Sequence, residues 1–313
     1  MCGQPLVSIV LPTYNGSRYL AEAVESVIAQ SYTNWELIIV DDASTDRTPE
    51  IIAAYAAKDA RIHTVRHPSN RRLPGALNTG FEAARGEYLT WTSDDNLYRP
   101  AAIADMVAFL QSHAEVGLVY ADCSAIDDRG RTAGMFYTAE PEFLPFGNPV
   151  GACFLYPSRV RDQVGKYADD LFLVEDYDYW LRIARSFKVA RLPKDLYLYR
   201  AHDQSLSSRR RKAVNRAHGI ALMRNLPGIP WIDNATRAKA YFKLAMRCLM
   251  ARDGVGVLVN SWRSARVSPV GCVAAVLGSV FDQVASGRSG GIIATLGRVR
   301  APTAATGDRL TRN

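Results

Sequence analysis

Short apolar runs alternate with amphipathic stretches through the first 121 residues, and this alternation is the strongest constraint on the fold. Residues 7–12 (VSIVLP) have the composition of a buried strand, whereas residues 18–30 place apolar side chains at helical spacing. The alternation continues, with strands at 35–40, 61–65, 88–92 and 116–121 and helices at 48–57, 75–84 and 101–111. Such alternation indicates βαβ units. We therefore predict an α/β fold with a doubly wound, mostly parallel sheet.

The later part of the chain has a different pattern. Between 122 and 208 there is a strand candidate at 151–156, a helix at 175–186 and strands near 188–192 and 197–200. Beyond residue 210 the strand pattern ends, and the spacing predicts helices over 235–251 and 255–267. We predict a main domain over 1–208, a basic helical extension over 209–300 and a disordered tail over 301–313.

An apolar run at 269–281 follows these helices. It is about a dozen residues long, short of the ~20 residues that a membrane-spanning helix needs. We expect it to pack in the core, with contact at a membrane surface as the second interpretation.

Charge is distributed unevenly along the chain. Residues 209–313 contain 18 Lys and Arg against 4 Asp and Glu, whereas residues 1–208 contain 20 against 27. A basic surface suits an anionic partner, either membrane lipid or nucleic acid, and a solvated face without a partner is the alternative. Since no recognised nucleic-acid-binding module is present, we expect peripheral contact with an anionic membrane and no nucleic acid.

The amino terminus and the cysteines bear on the compartment. The start Met1-Cys2-Gly3-Gln4-Pro5 lacks the basic region and apolar run of a signal peptide. We expect a cytoplasmic protein, peripheral at the inner face of the plasma membrane. The five cysteines are scattered without a CxxC pair, which favours reduced thiols over a zinc site.

Polar clusters follow three of the predicted strands. They are Pro12-Thr13-Tyr14-Asn15 after the first strand, the segment 41–46 (DDASTD) after the second and the segment 93–96 (SDDN) after the fourth. Ligands of open parallel sheets bind beyond the carboxyl ends of the strands, where the strand order reverses. Because three polar strand ends converge there, we predict a ligand site at this edge, although each cluster alone could be a helix cap.

The sequence lacks the motifs of several common enzyme classes. A dinucleotide-dependent oxidoreductase would carry GxGxxG after the first strand, where this chain has Pro12-Thr13-Tyr14-Asn15-Gly16. There is also no P-loop and no HExxH motif, which argues against nucleoside triphosphatases and metalloproteases.

The ordered set of motifs resembles the family 2 glycosyltransferases, which have the GT-A fold. The resemblance covers about residues 6–205. It rests on VSIVLPTYN at the start, WELIIVDDASTDRT, Asn70-Arg71 before ALNTG, GEY before the Asp94-Asp95 pair, and Glu175-Asp176 opening a helix. It implies an inverting hexosyltransferase that moves a sugar from a nucleoside diphosphate sugar to an acceptor hydroxyl. The nucleotide-binding part would be about 1–121 and the acceptor part about 122–208.

The resemblance also implies a divalent cation, Mn²⁺ or Mg²⁺, at the leaving diphosphate. Hard cations take carboxylate oxygens and keep several waters. Asp95 is the first candidate ligand, and Asp94 is expected to reach the ribose or a metal-bound water. Ser93 stands where the family often has an acidic residue, which removes one ligand. His202 is a second metal candidate, with a structural hydrogen bond as the alternative.

The other nucleotide contacts follow from the same resemblance. Asp42 or its neighbour Asp41 would accept a hydrogen bond from the nucleobase, which favours uracil, with thymine and guanine left open. The segment Pro12-Thr13-Tyr14-Asn15 would line the base pocket through backbone contacts and stacking. Arg71 would meet the phosphates.

Asp176 is the family-matched base for the acceptor hydroxyl, and Glu175 is expected to orient a neighbouring group or the acceptor. Burial near aromatic side chains would raise the pKa of Asp176. Direct displacement with one base implies inversion, and a helix-capping carboxylate is the alternative for this dipeptide. The basic extension suggests a cell-envelope, polysaccharide or lipid-linked acceptor. The rival class is a non-catalytic sugar-nucleotide-binding or envelope-scaffold protein that retains the fold.

Overall fold

A computed structural model of the chain describes residues 3–201 and 210–285. Its strands are β1 (Val7–Thr13), β2 (Trp35–Asp41), β3 (Ile62–Arg66), β4 (Tyr88–Trp91), β5 (Leu97–Tyr98), β6 (Val116–Ile126), β7 (Thr132–Phe136), β8 (Cys153–Pro157) and β9 (Lys188–Arg200). Its helices are α1 (Leu20–Ile28), α2 (Thr48–Ala56), α3 (Arg72–Ala83), α4 (Ala102–Ser112), α5 (Ser158–Val164), α6 (Glu175–Ile183), α7 (Arg211–Asn225), α8 (Asn234–Met250), α9 (Gly254–Val267) and α10 (Pro269–Ala285).

The strands form one sheet in the order β3-β2-β1-β4-β8-β6-β9-β5, with β7 beside β6. The first four strands are parallel, and β1 lies between β2 and β4, so the order reverses at β1. The second half is mixed: β8 is antiparallel to both of its neighbours, whereas β6 and β9 are parallel. The predicted α/β fold with a mostly parallel sheet is confirmed, and helices follow it at the carboxyl-terminal end.

Helices cover both faces of the sheet. Along β1, Ile9 and Leu11 face one apolar cluster that includes residues of α1, α2 and α4, while Val10 faces the other with residues of α3 and α6. This alternation is what a strand between two helical layers requires. A strand buried on both faces has a continuous apolar sequence, and this is why β1 and β2 could be identified from the sequence.

The sequence divided β9 into two strands, and this is wrong. The strand is continuous from Lys188 to Arg200 and pairs with β6 along its length. The register shifts between Ala121 and Asp122, where Leu192 and Asp195 are the successive partners. The two extra residues form a bulge that accommodates Pro193, a residue that cannot donate to a sheet ladder.

Helices α7 and α8 pack on the same core as the sheet. Leu222 and Leu244 belong to the apolar cluster that contains Trp180 of α6. Asp178 of α6 is buried and accepts hydrogen bonds from Arg182 Nε and Asn225 Nδ2, both at 2.8 Å. A buried carboxylate requires such partners, so the hydrogen bond between Asn225 of α7 and Asp178 of α6 fixes α7 against α6.

The apolar run 269–281 forms part of α10, and the expectation that it packs in the core is wrong for its large described side chains. Val270, Val273 and Leu277 are exposed. Among the residues that the structure describes, no helix is both long enough and apolar enough to cross a bilayer.

Candidate functional site

The carboxyl ends of β2, β1 and β4 lie side by side, and their loops form what we term the strand-end edge, residues 12–16, 41–46 and 93–96. Thr13 Oγ1 donates a hydrogen bond of 2.5 Å to Asp94 Oδ2, which joins the loop of β1 to that of β4. A Cβ atom at position 16 would overlap both Asp94 Oδ2 and Thr13 Oγ1, so any larger residue than Gly16 would displace this hydrogen-bonded pair. The predicted convergence of the polar clusters is therefore present.

The loops of β1 and β2 are joined as well. Asn15 has a left-handed backbone (φ 55°), and its amide donates to Ser44 Oγ at 2.9 Å. Its side-chain Oδ1 accepts from the amide of Thr45 at 2.8 Å. Pro12 is buried within β1, whereas half of the Tyr14 surface is exposed (50%), which leaves this ring available to stack on a ligand.

Asp41 and Asp42 are buried at the end of β2, and each carboxylate is held by several groups. Asp41 accepts from the amide of Ser44 at 2.9 Å and lies 3.2 Å from Arg66 Nε. Asp42 Oδ1 accepts from the amide of Arg71 at 2.8 Å and lies 2.7 Å from His67 Nδ1. These contacts fix the direction in which the two carboxylates point.

His67 has a role that the sequence did not indicate. Its ring is buried and bridges Asp42 Oδ1 and Thr79 Oγ1, the latter 2.9 Å from Nε2. The one available signal was its position directly after β3, the strand that pairs with β2. An imidazole can bond to a partner at each nitrogen, and here it ties β2 to α3.

Arg71 lies at the amino end of α3 beside Asp42. Besides its backbone bond to Asp42, its guanidinium donates to Thr79 Oγ1 at 3.3 Å. The next residue, Arg72, has φ 63° and places its guanidinium 5.5 Å from the centre of the Phe172 ring. The amino end of α3 is thereby in contact with the segment that leads into α6.

Asp94 and Asp95 are both half-buried at the end of β4. The backbone around them is held by Arg200, whose Nε donates to Asp95 O at 2.9 Å and whose amide donates to Asn96 Oδ1 at 2.8 Å. The Arg200 guanidinium also reaches Glu22 Oε2 at 2.7 Å and Asp127 O at 3.2 Å. Arg200 is 1% exposed, and its role was not apparent from the sequence.

The carboxylates at this edge suit a cation whose remaining coordination positions are filled by a bound substrate and water. In the described ranges 3–201 and 210–285, no group of three His, Cys, Asp or Glu could hold a metal ion. Mg²⁺ and similar hard cations are often bound by one or two carboxylates together with substrate phosphates and water. Asp95 can supply such a carboxylate. His202, the second predicted metal ligand, lies outside the described residues.

The start of α6, residues 173–176, carries the second pair of carboxylates. Leu173 has φ 88°, and its amide donates to Glu175 Oε2 at 2.7 Å. Glu175 is buried and turned back toward this amide, whereas Asp176 is half-buried. Asp176 Oδ2 accepts from Asn148 Nδ2 at 2.9 Å, and its Oδ1 accepts from the amide of Tyr177 at 2.7 Å.

Both carboxyl groups of this pair have raised pKa values. Burial and the adjacent Asp176 carboxylate raise the pKa of Glu175. Burial also raises the pKa of Asp176, although hydrogen bonds from Tyr177 and Asn148 act in the opposite direction. A carboxylate with a raised pKa is a stronger base, which suits the acceptance of a proton near neutral pH.

Comparison with known proteins identifies the family. A family model described as Glycosyl transferase family 2 matches residues 8–161. EpsE of Bacillus subtilis (strain 168), whose name describes a glycosyltransferase, is 34% identical over 212 residues, 66% of this chain and 76% of EpsE. The chain belongs to glycosyltransferase family 2. It spans smaller shares of other curated relatives, down to 25% of the relative's length.

Solved structures agree on the GT-A fold of this glycosyltransferase. S. aureus TarS 1–349 in complex with UDP-GlcNAc aligns with a TM-score of 0.63 at 15% identity, covering 90% of this chain and 92% of that one. The mannosyltransferase PcManGT of Pyrobaculum calidifontis, in complex with GDP-Man and Mn²⁺, aligns with a TM-score of 0.59 at 21% identity, covering 90% and 89%. At these identities the likeness concerns the fold.

The predicted site residues of this glycosyltransferase thus fall into two groups. The strand-end edge holds Pro12, Thr13, Tyr14, Asn15, Asp41, Asp42, Asp94 and Asp95, with Arg71 beside it. Glu175 and Asp176 lie at the start of α6, and the contact between Arg72 and Phe172 joins the segment before this helix to the amino end of α3, next to Arg71. The roles of these residues stay predictions.

Proposed function

We propose that the protein transfers a sugar from a nucleoside diphosphate sugar, with uridine the favoured base, to a hydroxyl of a cell-envelope, polysaccharide or lipid-linked acceptor. The reaction would depend on a divalent cation and invert the anomeric centre. The observation that carries the proposal is the hydrogen-bonded strand-end edge, in which Thr13, Asp94 and Asp42 have fixed positions. Structural neighbours in complex with UDP-GlcNAc and GDP-Man support a sugar-nucleotide donor.

The donor would lie along the strand-end edge. Asp42 or Asp41 accepts the nucleobase N–H, Tyr14 stacks on the base, and Arg71 faces the phosphates. Asp95 would hold Mn²⁺ or Mg²⁺. When bound, such a cation neutralises charge on the leaving diphosphate. Asp94, hydrogen-bonded to Thr13, would reach the ribose or a metal-bound water.

Asp176 would remove the proton of the acceptor hydroxyl. Asn148 and the Tyr177 amide orient its carboxylate, and burial raises its pKa toward the working range of a general base. Attack on the side opposite to the leaving diphosphate inverts the configuration. Glu175, bonded to the Leu173 amide, would keep the backbone before α6 in position.

Calorimetric titration with UDP, dTDP and GDP, each with Mn²⁺, Mg²⁺ or EDTA, tests the donor half of the proposal. We expect one nucleotide to bind in a metal-dependent way, and we expect Asp95→Ala to abolish the metal dependence. Asp162→Ala, a change at an exposed carboxylate on α5, is the matched control and should bind like the wild type. Absence of binding by every nucleotide under every metal condition would contradict the proposal and favour a non-catalytic protein that retains the fold.

A further inference from the structure

Helix α9 has several large apolar side chains on its outer face. Val255, Leu258 and Trp262 are exposed by 74%, 73% and 58%, and they follow one another at helical spacing along one face. The face that packs toward α8 is small and polar: Ser264 Oγ donates to Ala238 O at 2.8 Å, and Asn260 is buried. An ordinary surface helix of a globular protein has the opposite arrangement.

Helix α10 repeats this arrangement beside α9. Val270, Val273 and Leu277 are exposed by 80%, 58% and 52%, again at helical spacing. Its contact with α8 is made by Gly271, where an added Cβ would lie 3.0 Å from Ala235 Cα. The two adjacent helices therefore present apolar side chains to solvent while small residues fill the interface with α8. We term this exposed surface the α9–α10 face.

The charges next to the exposed apolar residues of α9 are positive. The two helices carry Arg263 and Arg266 in α9 and one acidic residue, Asp282, near the end of α10. The Arg266 guanidinium lies 4.9 Å from the centre of the Trp262 ring, which places a cation next to the exposed apolar residues. In the sequence, residues 286–313 add five Arg and one Asp.

We propose that the α9–α10 face binds the surface of a membrane that contains anionic lipids. An apolar helix face flanked by Arg and including Trp is suited to the boundary between headgroups and acyl chains. Anionic headgroups complement the arginines. Residues 209–313 carry 18 Lys and Arg against 4 Asp and Glu, so pairing of two copies through this part of the chain would bring mostly positive charges together. Charge complementarity therefore favours anionic lipid over a second copy.

This attachment would be coupled directly to the catalytic part of the molecule. Helix α8, on which α9 and α10 pack, contacts the segment before Asn148 through Arg247 Nη2, which lies 3.4 Å from Phe146 O. Asn148 is the residue that donates to Asp176. The inference itself does not depend on the nucleotide or on the sugar, because it concerns the outer face of α9 and α10.

Vesicle flotation of the full chain tests the proposal. Vesicles of phosphatidylcholine alone are compared with vesicles that also contain phosphatidylglycerol. We expect the wild type to float with the anionic vesicles, and Leu258→Gln/Trp262→Gln to reduce the partition coefficient by at least about tenfold, since each large apolar side chain that is buried contributes about that factor or more. Arg263→Gln/Arg266→Gln should lower it by about fivefold per charge on anionic vesicles, with little change on neutral ones.

Matched changes elsewhere serve as controls. Tyr137→Gln/Ile220→Gln alters exposed apolar residues outside α9 and α10 and should leave flotation unchanged. Unchanged thermal unfolding midpoints of all variants would exclude misfolding as a cause. Three results would overturn the proposal: a wild type that floats with neither vesicle, a Leu258/Trp262 variant that floats like the wild type, or a wild-type dimer that this variant converts to monomer without any flotation.

Discussion

The strand-end edge and the start of α6 both carry acidic residues, but the protein holds them differently. At the edge, Asp42 and Asp94 are bonded to side chains of His67 and Thr13, on neighbouring strands or loops. At the start of α6, Glu175 accepts from a backbone amide two residues away, and burial raises its pKa. The first arrangement favours fixed acceptors, whereas the second favours a group that can take up a proton.

Asp176→Asn should have the largest effect, because it removes the base while preserving shape. We expect kcat to fall by about 10²–10⁴-fold, the usual contribution of a general base, with nucleotide binding unchanged. Release of nucleoside diphosphate from the sugar donor in the presence of envelope glycans measures the rate, and calorimetry measures binding. Asp169→Asn, at an exposed position shortly before α6, is the control. If Asp176→Asn retained the wild-type kcat, Asp176 would not be the base, and the proposed difference between the start of α6 and the strand-end edge would be contradicted.

Glu175→Gln should change the pH dependence of stability. The folded pKa of Glu175 is raised, so the folded chain binds more protons than the unfolded chain once the pH exceeds about 4.5, and stability falls as pH rises from there. We expect Gln, which removes this charge, to make unfolding less pH-dependent and to raise the free energy of unfolding by about 1–3 kcal/mol at alkaline pH. Denaturant unfolding at a series of pH values measures the free energy of unfolding of both proteins. If this free energy changes equally with pH in the wild type and in Glu175→Gln, the raised pKa of Glu175 is contradicted.

Thr13→Val should have a smaller effect. It removes the donor to Asp94 Oδ2, and since Asp94 is half-buried, water can replace part of the loss. We expect the free energy of unfolding to fall by about 1 kcal/mol and nucleotide affinity to weaken. Thr33→Val, at an exposed position before β2, should change neither quantity. If Thr13→Val and Thr33→Val have the same free energy of unfolding and the same nucleotide affinity, the hydrogen bond between Thr13 and Asp94 does not contribute to either quantity.

The contact between Arg72 and Phe172 should give the smallest effect, and it measures the coupling between the amino end of α3, next to the strand-end edge, and the segment before α6. A double-mutant cycle with Arg72→Ala and Phe172→Ala is expected to give a coupling energy of about 0.5–1 kcal/mol, typical of an exposed cation–aromatic pair. Chemical denaturation of the four proteins supplies the values. Strict additivity would mean that the amino end of α3 and the segment before α6 are stabilised independently.

Much of the parallel half could be predicted from sequence because its strands are apolar on both faces and end in polar clusters. The positions of Thr13, Asp42 and Asp94 at one edge follow from that pattern. Arg200 and His67 could not be found in this way, because their partners lie far away in sequence and no local periodicity marks them. The short strand β5 and the bulge near Pro193 were missed since each depends on pairing with a distant strand.

The expectation that residues 269–281 pack in the core was wrong for another reason. Periodicity identifies an apolar helix face, but it does not identify what covers that face. The large side chains of α10 were expected to pack inside, and in the structure Val270 and Val273 are exposed. Gly271, which makes the close contact, has no side chain that could signal it.

Arg200 has a consequence for protein engineering. One guanidinium binds groups of Glu22, Asp95 and Asp127, which belong to three segments widely separated in the sequence. A graft of the 93–96 loop from a relative, made to alter donor preference, would need to keep these acceptors in register with β9. Exchange of that loop together with α1 and the end of β6 is therefore a sounder design unit than the loop alone.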